Sequence, residues 1–367
     1  MKAFYFGLLI IVLVPGCVKP YLPPAAAEES SLLVVDANIV IGSSMKVKIF
    51  RTKSLLDTLP ATPVTAASVT LESASGSSFE LVATDPGTYV GTGATAIEKY
   101  RLHLNADGKE YLSEYVDTKI TPPIDSIYWK EDGDVFIYVD THDDQALTRY
   151  YMWDFEETTE YHAVFDSNID FRNGELIFIT PEEMRFACFR HFPSTTVLLG
   201  TSKELDRDVI SNFLLTRIVN DNSKINFRYS ILVKQYALSE AAYRYWKIIK
   251  QNSEESGDLF DPQPSQLHGN IHNVGDPGEV VVGYLNISTS SEKRLFISQS
   301  ELSMIVYPDI DFCKEFFIRP EQAADLLTDP GYMGAYYRMS DGALAVAPAK
   351  CVDCRLSGGT TERPSYW

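Results

Sequence analysis

Basic residues are scarce in this chain. Its 367 residues set 32 Lys and Arg against 50 Asp and Glu, a formal charge of −18. Nucleic-acid surfaces are basic patches or stripes, so this balance excludes nucleic acid as a partner. It also excludes attachment to anionic lipid by electrostatics alone. Long apolar runs are missing too: beyond the first sixteen residues, none approaches the ~18 a membrane-spanning helix needs. There is no Gly-x-Gly-x-x-Gly or Walker-type loop, no Gly-x-Ser-x-Gly elbow and no internal repeat. What remains is 45% hydrophobic and 22% charged, the balance of a globular protein. At roughly 100–200 residues per domain, the length suits two domains or one large β domain.

The N-terminus carries an address. Lys2 precedes the apolar stretch Ala3 to Val14, which is too short to span a bilayer but suits a signal-peptide core. It ends in Val14-Pro15-Gly16-Cys17, which resembles a bacterial lipobox with Pro15 in place of the usual small residue. Residues 1–16 therefore read as a signal peptide and Cys17 as the lipidation site. Acylation of the thiol and of the new amine would anchor the protein stably, since two lipid signals suffice. Residues 17–31 hold Pro20, Pro23, Pro24 and Ala25 to Ala27, and read as an extended lipidated tether. No acidic run follows the cysteine, only Val18-Lys19-Pro20-Tyr21, so the membrane face stays open between periplasmic and external. The terminal Trp367 does not indicate a membrane barrel, because 358–366 lack alternation and include Pro364.

The fold reads as mainly β. Leu33 to Val40 is a first strand; Val47, Ile49 and Arg51 alternate in a second, and Ala67 to Ser73 in a third. Turns at Gly76, Asp85-Pro86-Gly87 and Ala106-Asp107-Gly108 separate these and later short runs. Residues 32–120 thus read as an immunoglobulin-like or transthyretin-like sandwich. Thr121-Pro122-Pro123 is the linker. Residues 124–367 read as a second β-rich, sandwich-like domain, with strands at Ser126 to Trp129, Val135 to Asp140, Tyr150 to Glu157, Glu175 to Thr180 and Asn226 to Lys234. A helix is inserted near 239–252. Ser239 is its N-cap, Glu240 lies in its first turn, and Ala242, Tyr245, Trp246 and Ile249 recur at helical spacing. Pro181 to Phe186 and Glu321 to Thr328 are weaker helical stretches.

Several segments resemble one family, the bacterial domain of unknown function 4249. They are Cys17 to Tyr21, Pro122 to Tyr128, Tyr150 to Trp153 and the long run Arg228 to Ser239, continuing through Tyr243, Tyr245 and Trp246. Leu259 to Gln266, Gly269-Asn270-Ile271, Cys351 to Arg355, Gly358-Gly359-Thr360 and Tyr366-Trp367 extend the resemblance across nearly the whole mature chain. Ala37 stands where a glycine often follows the first-strand aspartate. The resemblance implies an outer-membrane lipoprotein, often encoded beside a TonB-dependent receptor that imports siderophores, glycans or peptides. It implies no enzyme activity and carries over no catalytic residue.

The candidate chemistry is thin. Besides Cys17, the cysteines Cys188, Cys313, Cys351 and Cys354 form an even set, which in an exported protein favours disulfides. Four cysteines allow three pairings, and Cys351–Cys354 with Cys188–Cys313 is the expectation. The Cys351-Val352-Asp353-Cys354 motif supplies only two of four zinc ligands and does not open a helix after a strand. His268 and His272 have metal-ligand spacing, but Gly269, Asn270, Pro262 and Pro264 place them in a loop without a zinc-hydrolase glutamate. Asp258 and Asp261 lack the loop of a calcium site. Asp154, Glu156, Glu157 and Glu160 form an acidic run that could serve a glycosidase. Period 2 instead puts Tyr151, Trp153 and Phe155 on a buried face and Asp154 and Glu156 on a solvated one. Aromatics make up 12%, with 21 Tyr and 19 Phe, and fit β-sheet cores better than a sugar platform.

The expectation is a non-catalytic, cofactor-free outer-membrane lipoprotein. It would act as a ligand-capture or docking subunit beside a TonB-dependent transporter, with its ligand unidentified. An extracellular hydrolase of glycans or peptides using Asp154 or Glu157, or a structural envelope protein, are the alternatives.

Overall fold

Period-2 alternation builds most of the molecule. The computed structural model describes residues 31–53, 60–219, 223–254, 269–303, 312–329, 331 and 333–367. The signal peptide, Cys17 and nearly all of the tether lie outside the described residues. In β1 (Leu33–Val40), Leu33, Val35, Ala37 and Ile39 are buried, while Asp36 and Asn38 face outward. β2 (Met45–Arg51) buries Met45, Val47 and Ile49 and turns Lys46 and Lys48 outward. β3 (Thr62–Pro63), β4 (Ser68–Ser73), β5 (Ser78–Asp85) and β6 (Thr88–Gly91) follow. β7 (Lys99–Ala106), β8 (Lys109–Ser113) and β9 (Val116–Asp117) complete this stretch. Its core gathers Ile49, Leu71, Tyr89, Tyr100, Leu102 and Tyr111.

The linker leads into a second sandwich. β10 (Ile124–Asp132) and β11 (Asp134–His142) form a hairpin, and β12 (Tyr150–His162) is the long central strand. After the small hairpin β13 (Ile169–Arg172) and β14 (Glu175–Phe178) come β15 (Ala187–Pro193), β16 (Leu198–Thr201), β17 (Val209–Ile218) and β18 (Arg228–Ala237). β10-β11-β17 is one sheet, and β12 is flanked by β18 on one side and by β15 and β16 on the other. Between the sheets, Ile137 and Val139 pack with Tyr151, Trp153, Phe155, Tyr229 and Ile231. The expected buried aromatic face of β12 is present: Trp153 stacks on Phe213 at 4.3 Å and donates to buried Gln235 at 2.8 Å.

The inserted helix is α1 (Glu240–Glu254). Ser239 Oγ accepts the Ala242 N–H at 3.1 Å, the N-cap bond the sequence predicts. The two weaker helical stretches are shorter: a 3-10 turn at Pro181–Glu183, and a 3-10 turn at Pro320–Gln322 that runs into α2 (Ala323–Leu326).

The chain then returns to the first unit. β19 (Ile271–Asn273) pairs with β8, and β20 (Val281–Ser288) pairs in parallel with β1 from Leu33↔Val281 to Val40↔Ser288. Residues 32–120 therefore do not complete their sandwich; strands from far along the chain supply both margins. Asn270 joins those margins, its side chain donating to Leu285 O at 3.1 Å and accepting from Leu285 N–H at 2.7 Å. β21 (Ser290–Ser298) starts one residue after β20 and pairs with β18 in the second unit. β22 (Phe316–Ile318), β23 (Met333–Arg338) and β24 (Leu344–Pro348) form a further small sheet around Ile318, Leu344 and Val346.

Candidate functional site

Where the outward faces of the two units meet, they enclose a cleft of about 500 Å3. That volume is in the range of small-ligand sites, but the lining is polar. One wall is the outer face of β1 and β2: Asp36, Asn38, Lys46 and Lys48. The opposite wall is the outer face of β12, β18 and β21: Asp154, Lys234, Tyr236, Ser290 and Glu292. Ser43 and Ser44 of the β1–β2 turn, Ser194 to Val197 between β15 and β16, and Trp246 of α1 also line it, with Val40, Met152 and Trp153 as apolar members. The same alternation that buries the cores puts these side chains in the cleft.

Position governs the ionisation of its acids. Asp154 is shifted upward from the ordinary carboxylate value, first by burial, against the Tyr236 hydroxyl at 3.0 Å and the charge of Lys234. Glu156 and Glu292 reinforce the shift. Asp36 is also raised by its recessed position, against Lys48 and Lys46. Water still reaches its side chain, so Asp36 lies at the floor of an open cleft and is not covered. Burial and then the Asp36 charge push the Tyr245 phenol up to about 12. Burial alone would lower Lys234, but its ion pair with Glu156 at 2.7 Å prevails and raises it. Trp246 Nε1 is buried without a hydrogen-bond partner among the described residues.

A larger hollow of about 700 Å3 lies beside the linker, near Ile120, Asp125, His142, Asp143 and Leu147. Its polar groups already have partners. Asp143 accepts the backbone N–H groups of Gln145, Leu147 and Thr148, and His142 Nδ1 lies 2.7 Å from Asp125. That pairing, chiefly its hydrogen bond, raises the His142 pKa. The cleft between the sheets, where charges of both signs face one recess, is the candidate site.

The acidic run of β12 does not act as one group. Asp154 lines the cleft, Glu156 pairs with Lys234, and Glu160 accepts from Trp367 Nε1 at 2.9 Å and meets His162 at 2.9 Å. Glu157 points to the buried face, with Lys224 at 2.6 Å and the Tyr229 hydroxyl at 2.8 Å. His272 is exposed on β19; His268, Asp258 and Asp261 lie outside the described residues. Among the described residues no group of three or more His, Cys, Asp or Glu could hold a metal ion.

Disulfides form, but with different partners from those expected. Cys188 bonds Cys354 and Cys313 bonds Cys351, not Cys351–Cys354 and Cys188–Cys313. The reason is packing: Cys354 enters a cluster with Ala163 and Cys188, whereas Cys351 enters another with Ala347, Val352 and Cys313. Asp36, Lys46, Lys48 and Glu292 were not singled out by the sequence. Charge on alternate strand positions is the only signal they give, and any solvated sheet face shares it.

Fold and cleft define a β-rich protein of two joined sandwich units with a charged recess between them. The chain belongs to the DUF4249 family, a domain of unknown function whose model matches residues 18–294. No curated protein matches the sequence. Two solved structures are distantly similar. A DUF4785 family protein from Legionella pneumophila is 10% identical, over 55% of this chain and 51% of its own, with a TM-score of 0.17. The Yersinia pseudotuberculosis adhesin InvE is 12% identical, over 86% of this chain and 73% of its own, with a TM-score of 0.16. This chain thus spans about half the length of the first.

Proposed function

We propose that this protein is a non-catalytic outer-membrane lipoprotein, anchored through Cys17, that captures a small polar ligand beside a TonB-dependent transporter. The cleft carries the reading: it is recessed, of ligand size, and lined by charged groups of both signs. The lipobox at Cys17 and the family membership support the anchor and the neighbouring transporter. A hydrolase built on Asp154 and Glu157 is not supported, because these acids occupy opposite faces of β12 and Glu157 is held by Lys224 and Tyr229.

The test is purification of the full chain from its native membrane in mild detergent, with mass spectrometry of its N-terminus, protein partners and retained small solutes. An acylated Cys17, an enriched TonB-dependent receptor, and a solute lost on Asp154→Ala with Lys48→Ala are expected. A free N-terminus overturns the anchor, no enriched receptor overturns the transporter role, and undiminished solute in the double variant overturns capture by the cleft.

A further inference from the structure

The two walls of the cleft carry an excess of opposite charge, lysine on one and carboxylate on the other. On the first wall two lysines stand with one carboxylate, Asp36, which is the register partner of Lys48. Neither Lys46 nor Lys48 makes an ion pair or side-chain hydrogen bond with a described residue. On the second wall, Asp154 and Glu292 both lie beside Lys234 in the sheet register. That ammonium is engaged by Glu156, which is not part of the lining. Asp154 accepts the hydroxyl of Tyr236 and feels the charge of Lys234, and Glu292 accepts no side-chain hydrogen bond from a described residue. No ion pair joins the two walls among the described residues. Charges of opposite sign facing one another across a cleft favour a ligand that bears the complementary charges at its two ends.

Resting on the reading of the cleft as a capture site, we infer that the ligand is a short peptide with free termini. Its ammonium is held by Asp154 and Glu292, and its carboxylate by Lys46 and Lys48. A neutral sugar would bring no charge to complement either set. A single amino acid carries its two charges on one carbon, whereas a peptide separates them to its two ends, as the lysines and carboxylates are separated onto two walls. The hydroxyls of Ser43, Ser44, Ser194, Thr195 and Ser290 suit peptide groups, and Trp246 offers an apolar face to a side chain. Strand addition is not the mode of binding, because β1 is flanked by β2 and β20, and β18 by β12 and β21. Recognition is therefore by the termini, independent of backbone pairing.

The full chain in detergent is titrated calorimetrically with an equimolar tripeptide mixture, its N-acetylated and C-amidated counterparts, and maltotriose. Free tripeptides should bind, with either blocked form about tenfold weaker or more. Lys46→Ala with Lys48→Ala should weaken the free mixture but leave the amidated one unchanged; Asp154→Asn should do the same toward the acetylated one. All these side chains lie on outer sheet faces, and circular dichroism checks the fold. Binding of maltotriose alone, or of free and blocked peptides alike, overturns the peptide assignment while leaving capture by the cleft standing. No binding by any probe also overturns it, and the solute comparison above then decides the cleft by itself.

Discussion

Asp154 shows how one side chain can be placed for binding at a cost to folding. In the unfolded chain it titrates near its ordinary value of 3.8, whereas burial raises it in the folded protein. Across that window the folded chain holds a proton the unfolded chain has released, so rising pH removes stability. Asp154→Asn keeps an acceptor for Tyr236 and discards the buried charge. We expect it to melt higher than the wild type at pH 7, with the gap closing as pH falls toward about 4. A thermal melt series across pH measures this, and a lower melting temperature at pH 7 would contradict it. That Asp154 faces away from Trp153 was legible from period 2 alone. That its face is covered was not, because the covering strands β1 and β2 lie more than a hundred positions away in the chain.

Among the elements, those written in local sequence were the easiest to read. β1 has clean alternation, and α1 has its cap at Ser239 and a buried stripe at Ala242 and Tyr245. Elements defined by distant partners were not legible. β20 carries an unremarkable apolar run, and nothing in Val281 to Ser288 says that it will pair in parallel with β1. The disulfides were misjudged for the same reason, since the proximity of Cys351 and Cys354 in sequence says nothing of the clusters they enter. Asn270 is the element-scale device worth testing. Its amide satisfies both backbone groups of Leu285 and so links β19 to β20 where the sheet would otherwise have open margins. Gly269 and Gly283 allow the close approach: a Cβ on Gly269 would lie 1.8 Å from the Gly283 carbonyl oxygen. Asn270→Ala leaves those Leu285 groups unpaired and should cost about 1–3 kcal/mol. Denaturant unfolding measures that cost, and hydrogen exchange should show faster opening of β19 and β20; unchanged exchange there would refute the linking role.

At the scale of the whole molecule, two of the places where the chain passes between the two units run side by side. The Thr121 N–H donates to Thr289 Oγ1 at 2.9 Å, and the Thr121 hydroxyl donates to the Thr289 carbonyl. Lys119 N–H donates to Ile287 O and Thr289 N–H to Lys119 O, each at 2.9 Å. Two laced crossings restrain the units more than the single proline linker foreseen from sequence, and hold the outer faces of β1 and β18 across one cleft. Charge is unevenly placed there, with Lys46 and Lys48 against one carboxylate on one wall and Asp154 and Glu292 on the other. The most direct measurement of the account is a crystal structure of the full chain grown with the tripeptide mixture. The account predicts density spanning the cleft from Asp154 and Glu292 to Lys46 and Lys48. Density in the hollow beside His142, or a cleft holding only water, would contradict it.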